Sequence, residues 1–145
     1  MPLPFSHIVY ADKILQTKLK KRKINQQEYF IGSLFPDIRY LTKEPREKTH
    51  KKFKTTKKLI NKIEKEKDSF KLGLLVHWLT DYQFAKYWLK YFNNVRKYIK
   101  NLSAINVLND QILFDKFKKR NEIIKYFNVI CARENKKIKL EYIKK

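Results

Sequence analysis

Apolar residues recur at three- and four-residue spacing along most of this chain, the period of helices laid against a core. Phe5, Ile8, Ala11, Ile14 or Leu15, and Leu19 predict a first helix over residues 4–20, with Ser6 as N-cap and His7 in the first turn. Asn25-Gln26-Gln27-Glu28 has the cap-x-x-Glu pattern of a second helix start. That helix must end near Phe35, because Pro36 clashes with a helical residue before it. Residues 39–48 are polar, contain Pro45 and read as an exposed loop. Thr49 is the expected cap of a third helix, with Phe53, Leu59 or Ile60, and Ile63 inward and lysine on nearly every other face. Glu64-Lys65-Glu66-Lys67 closes it, and Asp68 or Ser69 opens a central helix over 70–92. The first half of that helix is apolar almost all round, as in a core element. Trp78, Tyr82, Tyr87 and Trp88 are expected mostly in the core. Residues 103–134 predict one or two more helices, with Leu108, Ile112, Phe117, Ile123, Ile124 and Phe127 inward.

The expectation is an all-α fold: one compact helical bundle of about five to six helices over residues 1–135, followed by a basic tail over 136–145. Only two glycines, Gly32 and Gly73, and four prolines in 145 residues argue against a strand-and-turn architecture. With 43% hydrophobic residues, a chain of this length can build a core without disulfides. The single Cys131 has no internal partner and reads as a small buried apolar residue. The opening Met-Pro-Leu-Pro-Phe-Ser-His lacks the pattern of a secretory signal, and no apolar run reaches the length of a membrane span. A cytoplasmic location is therefore expected. The formal charge of +21 attracts polyanions, either nucleic acid or anionic lipid headgroups. AT-rich coding would also enrich lysine, so the charge biases the choice of partner without deciding it.

The candidate chemistry lies in the histidines, of which there are three. His77 and Asp81 stand one turn apart on the central helix, so imidazole and carboxylate point to one side and could hold a divalent cation. Asp37 follows the Phe-Pro break, His50 opens the next helical stretch and His7 the first. Five donors on four segments could converge on a metal. Read alone, His77 and Asp81 also fit a buried hydrogen-bonded pair, and Asp37 fits a turn. There is no Ser-His-Asp or Cys-His arrangement and no glycine-rich phosphate loop.

In order along the chain come Pro4-Phe5-Ser6-His7, then Gly32-Ser33-Leu34-Phe35-Pro36-Asp37, then Thr49-His50, then Leu74-Leu75-Val76-His77-Trp78-Leu79-Thr80-Asp81. This series resembles the zinc-dependent phospholipase C family, whose all-α fold is shared with P1-type nucleases. The resemblance covers roughly the first 85 residues. It implies that His7, Asp37, His50, His77 and Asp81 ligate zinc, with Asp37, His50, His77 and Asp81 around one ion and His7 with Asp81 at another. It also implies hydrolysis of a phosphate ester by metal-activated water, Asp37 doubling as the base that orients the water. Lys51, Lys52 or Arg39 would offset negative charge. The chain departs from the larger members, since no histidine follows His77 and part of their cluster is missing. One or two ions are then the most it could hold in that manner. Asp110 and Asp115 could be the acidic patch of the shorter relatives, and Pro2 could lie near His7.

Overall fold

The computed structural model describes residues 4–39, 43, 45–51, 53–92, 102–126, 128, 129 and 132. They form α1 (Pro4–Thr17), α2 (Gln26–Leu34), a 3-10 turn (Phe35–Ile38), α3 (Arg46–Thr49), α4 (Thr56–Lys65), α5 (Ser69–Phe92) and α6 (Leu102–Lys116). Further helical turns cover 120–126, and no strand occurs among the described residues. The fold is all-α. No described helix is long and apolar enough to cross a membrane. Met1, Pro2, Lys52, Cys131 and the tail 136–145 lie outside the described residues.

Local signals account for most boundaries. Asn25 caps α2, its side chain accepting from Glu28 N at 3.2 Å, and Pro36 converts the end of α2 into the 3-10 turn. Asp68 accepts from Lys71 N at 2.7 Å and so caps α5. Two starts differ from the sequence reading. Thr49 caps nothing downstream: it ends the one-turn α3 inside the expected loop, and Thr55 caps α4 instead, accepting from Lys58 N at 3.3 Å. Ser6 lies inside α1, whose free first-turn N–H groups are satisfied from across the fold by Asp110.

The core gathers Ile8, Ala11 and Leu15 of α1, Tyr29, Phe30 and Leu34 of α2, Leu59 and Ile63 of α4, and Leu72 and Val76 of α5. Helices α2 and α5 meet backbone to backbone at the two glycines. A Cβ on Gly32 would stand 2.1 Å from Phe70 O, and one on Gly73 would stand 2.0 Å from Tyr29 O. Only glycine permits that approach. On the far side, Phe114 meets Phe5 edge-on at 4.8 Å, and this choice of face leaves Leu108 and Ile112 exposed rather than inward. Ile123 is buried, whereas Ile124 and Tyr87 are also exposed.

Candidate metal centre

Close contact between α2 and α5 sets Ser33 and the following 3-10 turn against the buried face of α5. Ser33 O accepts from His77 Nδ1 at 2.8 Å. A carbonyl only accepts, so the His77 proton sits on Nδ1 and the Nε2 lone pair points away into the cluster. Four segments supply the donors: α1 gives His7, the 3-10 turn Asp37, the residue ending α3 His50, and α5 His77 and Asp81. None of the five is more than 9% exposed. That is too little for water alone to satisfy five ionisable side chains.

The distances are short and mutual. His50 Nε2 lies 3.2 Å from His77 Nε2 and 3.4 Å from Asp81 Oδ2. His7 Nε2 stands 3.5 Å from Asp81 Oδ1 and 3.7 Å from Asp37 Oδ2, and its ring stacks on His77 with centroids 3.7 Å apart. Two sets of donors lie within 4.8 Å of one another: His7, His77 and Asp81, and Asp37, His50 and His77. Asp110 and Asp115 belong to neither. Asp110 accepts from Phe5 N at 3.2 Å, Ser6 N at 2.6 Å and Ser6 Oγ at 2.7 Å, and Asp115 accepts from Gln111 at 3.1 Å on the exposed side of α6. Both carboxylates serve the helices they touch.

The donor chemistry fits a divalent cation. Thr49 Oγ stands 2.8 Å from His50 Nδ1 and 3.4 Å from Arg46 O, so the His50 ring is held by its Nδ1 edge with Nε2 turned into the cluster. His50 Nε2 faces the His77 lone pair at 3.2 Å. When the His50 proton sits on Nδ1, two lone pairs meet there and repel unless positive charge lies between them. With Zn–N bonds of about 2.0–2.1 Å, two imidazoles at a tetrahedral angle place their nitrogens roughly 3.3 Å apart. Both carboxylate oxygens of Asp37, Oδ1 of Asp81 and both ring nitrogens of His7 are buried without a hydrogen-bond partner. Such a concentration of unsatisfied polar atoms calls for a cation to satisfy them.

Electrostatics prepare the donors. Burial pushes His50 down to about 4, helped by the Arg46 guanidinium, and burial with the neighbouring His7 holds His77 well below the usual imidazole range. Both are neutral at pH 7, the form in which imidazole can ligate a metal. Burial would raise the Asp81 carboxyl, but His7, His77 and Arg46 together hold it well below the usual carboxylate range. Burial raises Asp37 to about 6, with His7 opposing and Asp81 adding to the rise. Its proton affinity therefore lies close to neutral pH.

Arg46 is the residue the sequence reading missed. Its guanidinium donates to Asp81 Oδ2 at 2.8 Å and remains 37% exposed, spanning the cluster and the solvent. A lone arginine in a polar loop gives no signal of a contact made 35 residues away. Lys51 is exposed with its ammonium 5.8 Å from the Trp78 ring centroid, and Arg39 acts on Asp37 and His50 through its charge.

No curated protein and no solved structure matches the chain. The profile of the zinc dependent phospholipase C family matches residues 5–139, a span that holds all five donors and nearly every described helix. The chain belongs to the zinc dependent phospholipase C family.

Proposed function

We propose that the protein is a metal-dependent phosphoesterase, with zinc as its metal, that hydrolyses a phosphate ester at the buried His/Asp cluster. The observation that carries this reading is the convergence of three buried histidines and two aspartates, with His50 and His77 Nε2 3.2 Å apart amid carboxylate oxygens without hydrogen-bond partners. Asp37, His50, His77 and Asp81 would hold the ion, with His7 completing the cluster beside Asp81. A bound zinc ion would lower the pKa of its water to about 7 and polarise phosphoryl oxygens. Asp37 would double as the base that orients the attacking water, its buried carboxylate oxygens facing the cluster. Arg46, anchored on Asp81 and open to solvent, meets the negative charge that grows on the phosphoryl oxygens. Removing one such donor typically costs about 10²–10³ in kcat.

Elemental analysis of protein purified without added metal should find zinc bound. Bis(p-nitrophenyl) phosphate and p-nitrophenyl phosphate then test for turnover of diesters and monoesters. His77→Ala and Asp81→Ala should lose both zinc and turnover, whereas Arg46→Ala should keep zinc and lose about 10²–10³ in kcat. Undiminished turnover in both cluster variants overturns the assignment. So does a protein that binds zinc yet turns over neither class of ester, since the ion would then be structural.

A further inference from the structure

Two basic runs distant in sequence are drawn into one surface by Arg22. Its guanidinium donates to Ile63 O at 2.8 Å and to Glu66 O, carbonyls at the C-terminal end of α4. A cation is favoured there by the helix dipole and by the unsatisfied carbonyls. The consequence is that Lys20, Lys21 and Lys23, exposed around Arg22, come to lie beside Lys62 and Lys65, exposed around the accepting carbonyls. On α4 itself, Lys58, Lys62 and Lys65 recur at i, i+4 and i+7, one stripe beside the buried Leu59 and Ile63.

This crowding of charge is only partly offset locally. Lys20, Lys21, Lys23, Lys58 and Lys65 have no ion-pair partner among the described residues, and Lys62 lies over the Phe53 ring at 5.6 Å. Of the neighbouring carboxylates, Glu66 accepts from Lys67 N and Asp68 N at 2.9 Å each, and Asp68 accepts from Lys71 N. Six ammonium groups and Arg22 outnumber the carboxylates of Glu64, Glu66 and Asp68, and that excess raises the local potential and selects a polyanion.

We propose that this surface, formed by residues 20–23 and the lysine stripe of α4, binds the phosphate backbone of a nucleic acid without regard to base sequence. A bilayer fits it less well, because interfacial binding rewards apolar side chains inserted between the cations. Ile60 is the one large apolar residue exposed on α4, while Val107, Leu108, Ile112 and Ile124 are exposed elsewhere, on α6 and 120–126. Flexible lysines present point charges suited to phosphates and offer no rigid reader of base edges. The surface does not depend on the hydrolase reading, as none of its residues belongs to the metal cluster.

Fluorescence anisotropy with a labelled mixed-sequence 20-base-pair DNA duplex in EDTA, from 50 to 200 mM NaCl, tests this. Each phosphate contact contributes about −0.9 to the slope of log K against log salt, so six predict a slope of roughly −5. Lys21→Gln/Lys23→Gln/Lys62→Gln/Lys65→Gln should flatten the slope by about 3–4 and weaken binding at least roughly tenfold at 100 mM salt. Lys86→Gln/Lys116→Gln/Lys118→Gln/Lys125→Gln removes the same charge elsewhere and should stay within about threefold of wild type. Asp81→Ala, which breaks the cluster, should bind as wild type does. If the quadruple variant melts early, the Lys21/Lys23 and Lys62/Lys65 double variants carry the same comparison at half the change in slope. Equal weakening in both quadruple variants overturns the proposal in favour of net charge alone. Unchanged binding in the first overturns it too, as does selective loss of binding to phosphatidylserine-containing vesicles with the duplex still held.

Discussion

Gly73→Ala couples the fold to the cluster, and its outcome turns on which of two opposed effects is larger. Alanine in a helix interior is favoured over glycine by about 0.5–1 kcal/mol. At this position, however, the new Cβ would fall 2.0 Å from Tyr29 O and 2.7 Å from Ser33 N, both backbone atoms that no change of rotamer can move. Restoring an ordinary 3.4 Å contact requires α2 and α5 to separate by roughly 1.4 Å along that line. Overpacking of a filled core costs about 1–3 kcal/mol, and backbone obstruction belongs at the upper end. The clash wins by about 2 kcal/mol, which in a chain of this size lowers the Tm by roughly 5–10 °C. Separation also carries Ser33 O away from His77 Nδ1 and Asp37 away from Asp81. Loss of such an outer partner typically weakens metal binding about 10–100-fold. Thermal denaturation in EDTA reads the first effect, and chelator-competition titration with zinc the second. A Tm within about 2 °C of wild type, or above it, would refute the close crossing of α2 and α5 and the account of the cluster built on it.

Asp110→Ala removes three hydrogen bonds from the first turn of α1 and should cost about 1–2 kcal/mol in urea unfolding, with zinc content unchanged; lost zinc would instead make Asp110 a ligand. Asp37, raised to about 6, must release its proton to bind a cation, so zinc affinity should be flat above that pH and fall about tenfold per unit below it, steepening as His50 protonates near 4. An affinity that does not change between pH 7 and 5 would remove Asp37 from the site. Isothermal titration should find one tight zinc ion per chain; two ions of equal affinity would show that His7 and Asp81 hold a second one without sharing His77.

The features legible in the sequence were those set by neighbouring residues. The core helix and its His77–Asp81 pair followed from helical spacing, the Asn25 cap from one side-chain bond, and the stop at Pro36 from one steric clash. Thr49 misled because Thr49, Thr55 and Thr56 are all plausible caps in a polar stretch; Thr49 instead ends α3 with its hydroxyl on the adjacent His50 ring, and Thr55 takes the cap of α4. Leu108 and Ile112 were expected inward because α6 is apolar on several sides. Contact of Phe114 with Phe5 selects the other face, and no periodicity predicts that choice. Gly32 and Gly73 registered only as evidence against strands. Their role is a contact between segments some forty residues apart, which a single sequence does not display. Arg46 was missed for the same reason.

The two sets of close donors share His77, but chemistry does not let His77 serve two ions. With Nδ1 committed to Ser33 O, it has one lone pair to give. Asp81 differs, because Oδ1 faces His7 while Oδ2 faces His50, His77 and Arg46, so its two oxygens can serve opposite sides of the cluster. Asp37 is placed similarly, with Oδ2 towards His7 and Oδ1 towards His50, so the two carboxylates are the members able to join two centres, and the arginine on Asp81 Oδ2 raises the cost of the second one. The charges agree with this division. Asp37 and Asp81 carry two negative charges and Arg46 one positive, so one divalent cation brings the cluster to +1 before any bound anion. A second cation would bring it to +3, a burial cost that bound anions would have to offset.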